Sequence, residues 1–220
     1  YGLPYVLKDN INTANLPTTG GTPALRNWIP PKDAEITKRI NQANGVLFGK
    51  VNMHELAYGI TSNNATFGPV RNPYDRTKIP GGSSGGTAAA IAAGIVPFGM
   101  GSDTGGSCRI PAALCGCVGF RPSVDRYVRT GVIPISHTQD TPGPLGRTVD
   151  DVILLDRACM QDNKQRARQS LKGLRLGIPR EHYYQNLDPA LEEVINKGLG
   201  KLSDAGVELL EVSITNVRQL

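Results

Sequence analysis

Two glycine–serine runs stand out for the chemistry they could support: GGSSGG at residues 81–86 and GSDTGGSCR at residues 101–109. Glycine lets the backbone turn through positive φ and approach another group closely. A serine placed among glycines presents a small oxygen able to attack a carbonyl or to relay a proton. The first run fits G-x-S-x-G twice, centred on Ser83 or on Ser84. The small-residue stretch TAAAIAAG behind it supplies the helix that a nucleophile elbow requires. That reading needs an aspartate and then a histidine downstream, which Asp140 or Asp156 with His182 would provide. The run lacks the G-K-[ST] ending of a phosphate-binding P-loop.

In the second run Thr104, Gly105 and Gly106 lead into Ser107, where a helix is predicted to begin. Successive backbone N–H groups at a glycine-rich turn form a cradle for negative charge. A serine at its end can attack a carbonyl while its neighbours hold the developing oxyanion. On the motif alone, a plain N-cap role for Ser107 stands beside that reading.

The general base is not a histidine on this pattern: His54 in a short helical stretch, His137 in a polar turn and His182 late in the chain read as surface or packing residues. Lys8 is the stronger candidate. It closes the apolar run LPYVL, and strand alternation sets Asp9 on the opposite face. Desolvation without a paired neighbour lowers a lysine pKa. Being mostly neutral near pH 7 requires a fall of about three units from ~10.4, on the order of 4 kcal/mol. The alternative is an ordinary strand-end lysine reaching to water.

The elements expected to position these residues alternate along the chain. LPYVL is a strand, followed by a helix capped by Asp33, carrying Ile36 and Ile40 on one face, running to about Ala43 and ended by Gly45. VLFGKVN is a strand, residues 54–60 a short helix, and the Asn/Pro/Gly-dense stretch up to Pro80 a loop. TAAAIAAG then forms a helix, VPFGMG a buried strand, and GGSCRIPAALCG a turn into a helix. A helix at about 148–160 has Thr148 as its N-cap, with Asp150 and Asp151 in the first turn. LRLGIP, an Asp188-capped helix to about Asp204, and VELLEVS complete the pattern. This alternation predicts an α/β architecture with a mainly parallel or mixed sheet.

Bulk properties narrow the classes. The 220 residues, 39% hydrophobic and 20% charged, fit a globular domain or a part of a larger one. The net charge of +5 is carried by scattered Lys and Arg, so no nucleic-acid surface is expected. Cys108, Cys115, Cys117 and Cys159 show neither a C-x-x-C pair nor a secreted framework, and are expected as buried thiols in a reducing cytoplasm. The longest apolar run, residues 88–100, is broken by Gly94, Pro97 and Gly99, so no membrane span is expected. With little before LPYVL and a stretch running on past the last strand, the chain reads as a fragment.

Lys8 in YVLKDN, GGSSGG, and GSDTGGSCRIPAALCGCVGFRP at 101–122 together resemble the amidase signature family, and so do the separations from Lys8 to Ser83 and from Ser83 to Ser107. KVNMHELAYGITSNN, FGPVRNPY and DTPGPLGRTVDD extend the resemblance over most of the chain. It implies an α/β/α sandwich with a mixed β-sheet, residues 1–220 being the central part of a single domain truncated at both ends. It further implies a Ser–cis-Ser–Lys triad, with Ser107 as nucleophile, Ser83 as the bridging serine behind a cis peptide bond, and Lys8 as base. Thr104, Gly105 and Gly106 would form the oxyanion hole, Ser84, Asp103 and Arg109 would support the turn, and Ala57 and Gly59 would line the acyl side. The elbow reading of Ser83 or Ser84 gives way to this one.

No metal and no cofactor is implied. The expected partner is a small-molecule amide, hydrolysed to the carboxylic acid and ammonia; a homodimer is left open. Within the family, MHELAYGITSNN, GFRPSVDRY, VIPISHTQDTPGP and LKGLRLGIPREHYYQNLD resemble bacterial indoleacetamide and mandelamide hydrolases. The alternatives are an amidase of other specificity and a GatA-type subunit of the glutamyl-tRNA amidotransferase, which more typically carries lysine where Arg121 stands in GFRPS.

Overall fold

Strand β1 (Leu3–Lys8) sends alternate side chains into two separate apolar cores: Tyr5 and Leu7 into one, Val6 into the other. A strand buried on both faces belongs inside a sheet, and β1 has parallel partners on either side, β2 (Gly45–Val51) and β3 (Phe98–Asp103). Beyond β3 the direction reverses. β5 (Thr141–Gly146) pairs antiparallel with β3 and also with the short β4 (Val118–Gly119), giving a five-stranded mixed sheet in the order β2-β1-β3-β5-β4.

The computed structural model describes residues 2–162 and 170–214, in two compact units, Tyr1–Asn163 and Lys164–Leu220. In the first, helices cover both faces of the sheet. Ile36 and Ile40 of α1 (Glu35–Gln42) and Leu155 and Cys159 of α4 (Val149–Met160) pack with Tyr5, Leu7, Phe98 and Met100. On the other face, Ala88 and Ile91 of α2 (Gly85–Ala92) and Ala112 of α3 (Arg109–Leu114) pack with Val6, Cys108 and Leu145. This is the α/β/α sandwich with a mixed sheet that the family resemblance implies. Each large apolar side chain so buried contributes about 1.5–3 kcal/mol.

The small residues of α2 have a packing reason. A Cβ on Gly86 would lie 2.1 Å from the Asn52 carbonyl oxygen, and one on Gly99 of β3 would lie 2.7 Å from that of Val6. Only glycine lets the helix and the strands approach this closely. The N-cap of α4 also follows the sequence: Thr148 Oγ1 accepts from Asp151 N at 3.1 Å and Asp151 Oδ2 accepts from Thr148 N at 2.9 Å, a complete capping box.

Four local expectations are corrected. Asp33 does not cap α1, whose N-cap is Ala34; its Oδ1 accepts instead from Ala14 N at 2.8 Å. Gly45 opens β2, and the chain leaves α1 through Asn44 at φ 62°. Residues 54–60 hold only a 3-10 turn, Glu55–Ala57, with Leu56 and Ala57 at φ 48° and 60°. A left-handed backbone at two side-chain-bearing residues cannot propagate a right-handed helix. Ser107 lies before α3, whose N-cap is Cys108, so the N-cap alternative for Ser107 falls away.

The second unit holds β6 (Arg175–Ile178), α5 (Arg180–Tyr183), α6 (Pro189–Asp204) and β7 (Glu208–Glu211), with β6 and β7 paired in parallel. Asp188 caps α6 by accepting from Ala190 N at 2.9 Å, and Ile178 and Val207 are buried. The end of the chain, expected to run on past the last strand, lies outside the described residues from position 215 onward. Among the described residues no helix is long and apolar enough to cross a membrane.

Candidate active site

The parallel strands β1 and β3 end side by side at their carboxyl ends, and Lys8 and Ser102 meet there. Ligand sites in open α/β sheets form outside the carboxyl ends of strands, where backbone groups lose their ladder partners. Lys8 is fully buried. Its Nζ lies 2.7 Å from Ser83 Oγ, 2.8 Å from Ser102 Oγ and 3.4 Å from the Ser102 carbonyl oxygen. Burial pushes the amine down to about 8, against smaller upward pulls from Cys108, Asp103 and Asp140. The lysine reaching to water is therefore ruled out by its position.

Ser83 is held from several sides. The Gly82–Ser83 peptide bond is cis, and the Ser83 carbonyl accepts from His54 N at 3.2 Å. Ser62 Oγ accepts from Gly85 N at 3.1 Å, tying the same loop to a neighbouring segment. Ser84 is fully buried and braces the loop: its Oγ lies 3.2 Å from the Ser102 carbonyl and 3.3 Å from Ser102 N, and its own N–H donates to the Ser107 carbonyl at 3.2 Å. The last bond brings the two glycine-rich runs together, while the contacts with the Ser102 backbone engage the Ser84 hydroxyl as both donor and acceptor. The aspartates of the elbow reading are engaged elsewhere. Asp140 accepts from Thr104 Oγ1, Ile135 N and Ser136 N, and Asp156 from Arg126 and Tyr127.

The turn carrying Ser107 wraps around a buried carboxylate. Asp103 accepts from Gly106 N at 2.7 Å, Cys108 N at 3.0 Å, and Arg109 Nε and Nη2 at 3.1 and 3.0 Å, with Arg121 Nε 3.4 Å away. Burial raises its pKa, but the Arg109 fork and the backbone N–H groups outweigh that, and the carboxyl is held below its usual range. Gly106, expected in the oxyanion hole, instead has its N–H committed to Asp103. The N–H groups of Gly105 and Ser107 find no acceptor among the described residues and remain available for a negative oxygen. Cys108 is no rival nucleophile, since burial pushes its thiol up to about 12.

Ala57 is buried and Gly59 packs under His54, whose ring would meet a Cβ there at 2.2 Å. Neither lines the cavity of about 280 Å³ that opens beside Ser102. Ser102 and Asn10 were not among the sequence candidates, yet they complete the polar cluster: Asn10 Nδ2 donates to Ser102 Oγ at 2.9 Å. The signal that could have found Ser102 is its place near the end of a strand parallel to the one that ends in Lys8.

This arrangement can be compared with known proteins. A family model described as Amidase matches residues 1–220. The chain belongs to the amidase family. An amidase relative from Allorhizobium ampelinum, described as indoleacetamide hydrolase, is 43% identical over 100% of this chain and 47% of its own length. A relative from Sulfurihydrogenibium sp., described as one of the subunits of glutamyl-tRNA(Gln) amidotransferase, is 39% identical over 97% of this chain and 47% of its own. Among solved amidase-fold structures, the corresponding amidotransferase chain of Thermotoga maritima superposes with TM-score 0.91 at 34% identity, covering 98% of this chain and 51% of that one. The native peptide amidase of Stenotrophomonas maltophilia gives TM-score 0.86 at 33% identity, covering 99% and 49%. The chain thus spans about half the length of the amidase relatives it matches.

Proposed function

We propose that the protein carrying this chain hydrolyses a primary carboxamide to the carboxylic acid and ammonia through an acyl-enzyme on Ser107. The observation that carries this reading is the buried Lys8 amine, lowered to about 8 and 2.7 Å from the hydroxyl of Ser83. Neutral Lys8 takes the Ser83 proton as Ser83 takes that of Ser107, whose oxygen attacks the amide carbon. The free N–H groups of Gly105 and Ser107, with Thr104 beside them, hold the oxyanion while Asp103, Arg109 and Ser84 keep the turn in place. The relay then returns the proton to the leaving nitrogen, and water releases the acyl group. Ala57 and Gly59 are proposed for the acyl side.

For the acyl group we propose an arylacetamide such as indole-3-acetamide or mandelamide. The indoleacetamide hydrolase relatives at 43% identity support this choice. A second reading, a glutamine-hydrolysing component of an amidotransferase, is favoured by the 0.91 superposition on a chain of that kind. The experiment is ammonia release by the purified full-length protein from indole-3-acetamide, mandelamide and glutamine. Turnover of an arylacetamide by the lone protein supports the first reading. Turnover of glutamine alone, or only with partner proteins, supports the second.

A further inference from the structure

Asn10 is 2% exposed, and its side-chain oxygen has no hydrogen-bond partner although its nitrogen is bound to Ser102 Oγ. A buried amide oxygen left unpaired costs about as much as a lost hydrogen bond, so such a group calls for a ligand or a role. Asn10 lines the 280 Å³ cavity together with Ser102, Thr104, Ile133, Asp140 and Pro142. The cavity is a built feature. Ile133 N donates to the Asn10 carbonyl at 2.9 Å, Ile11 and Val132 form a bridge, and Asp140 pins Ile135 N, Ser136 N and Thr104 Oγ1. The lining is mixed: Val132, Ile133, Pro134 and Ile135 are apolar, while Asn10, Ser102, Thr104, Ser136 and Thr141 are polar and Arg129, His137 and Asp140 are ionisable. Ser102 contacts the Lys8 amine, and Thr104 opens the turn that ends in Ser107.

We infer that this cavity receives the nitrogen end of the substrate, and that Asn10 Oδ1 accepts a hydrogen bond from the N–H of the scissile carboxamide and of the departing amine. The inference rests on the reading of Lys8, Ser83 and Ser107 as an amide-hydrolysing triad. When the tetrahedral adduct collapses, the oxyanion electron pair re-forms the carbonyl and the C–N pair leaves with nitrogen. That nitrogen takes the proton returned through Ser83 from the Lys8 ammonium and departs as neutral ammonia. An acceptor at Asn10 holds the –NH2 group so that its lone pair faces the incoming proton. An ester of the same acid has no N–H to offer and gains nothing from this acceptor. Asn10 is accordingly a determinant of amide over ester.

The test compares indole-3-acetamide with methyl indole-3-acetate in the full-length protein, as the ratio of their kcat/KM values in wild type and in Asn10→Ala. Both rates fall in the variant, because Ser102 loses its donor, but the amide rate falls by about a further tenfold, the size of one hydrogen bond. An unchanged ratio overturns the inference while leaving the triad reading intact. Hydrolysis by wild type of neither compound, and of no glutamine with or without partner proteins, overturns both. Should Asn10→Ala fail to fold, Ser107→Ala with Asn10 intact serves: the amide then binds about tenfold more tightly than the ester by calorimetry, and equal affinity overturns the inference.

Discussion

Lys8 Nζ and Ser83 Oγ lie 2.7 Å apart across 75 residues of sequence, with both side chains fully buried. The amine has Ser102 Oγ and the Ser102 carbonyl as its further partners, so its three hydrogen-bonding directions are all occupied. In the neutral amine two of these are N–H donors and the third is a lone pair, which makes it a base toward whichever hydroxyl points at it.

A base acts only after losing its proton, so kcat/KM should rise with pH through an acid limb near 8 and level off above it. A pH–rate profile of the full-length protein checks this. Lys8→Ala should abolish the limb together with most of the rate; a limb that survives the change would assign it to another group.

The same shift makes a stability prediction. Folding lowers the Lys8 pKa from 10.5 to about 8, so between those values the unfolded chain binds more protons. The stability contributed by this group therefore rises with pH from about 8 to about 10.5, and below pH 8 the full cost, on the order of 3 kcal/mol, is present. Urea unfolding of wild type and Lys8→Met should show the difference between them moving in favour of wild type as pH rises from 7 to 10.

Ser83 and Ser107 are expected to act as one unit. Ser107→Ala should lower amide kcat by at least about a thousandfold, and adding Ser83→Ala should cost much less than the product of the single losses. Single-turnover kinetics and covalent labelling by a fluorophosphonate read this out. Label on Ser83 in place of Ser107 would exchange their roles.

Asp103 is the anchor of the turn that carries Ser107. Asp103→Ala leaves the Arg109 and Arg121 guanidinium groups and the Gly106 and Cys108 N–H groups without their acceptor, and should destabilise the fold by about 3–5 kcal/mol. Arg109→Ala should cost less, because its side chain is 53% exposed and Arg121 remains. Denaturant midpoints of the two variants give the comparison.

The contact between α2 and the segment after β2 tolerates no added atom. Gly86→Ala would set a methyl 2.1 Å from the Asn52 carbonyl and should cost about 1–3 kcal/mol, whereas Gly49→Ala meets nothing within 4 Å and should be close to neutral. Thermal melts of the pair separate the close approach from a general effect of glycine.

By itself the sequence determined most of the strands and helices, the caps at Thr148 and Asp188, and the residue types able to do acyl chemistry; it missed the two-residue β4, the Pro- and Gly-bearing β5 and the short α5. The features it determined are local: periodicity, a hydroxyl or carboxylate before a helix, and a serine among glycines are written in neighbouring residues. Tertiary structure decided what those groups do. Ser84 looks as eligible as Ser83 within GGSSGG, and only the packing of α2 against β3 turns its oxygen toward the Ser102 backbone. Gly106 looks like an oxyanion donor, and here a local contact decides otherwise: Asp103, three residues earlier, accepts its N–H within the same turn. Ser102 and Asn10 join the site because β1 and β3 run parallel and end together, a pairing across long sequence separation that no local pattern encodes. Lys8 owes its lowered pKa to the same cause, since desolvation is supplied by the helices and strands that close over it and not by its neighbours in the chain.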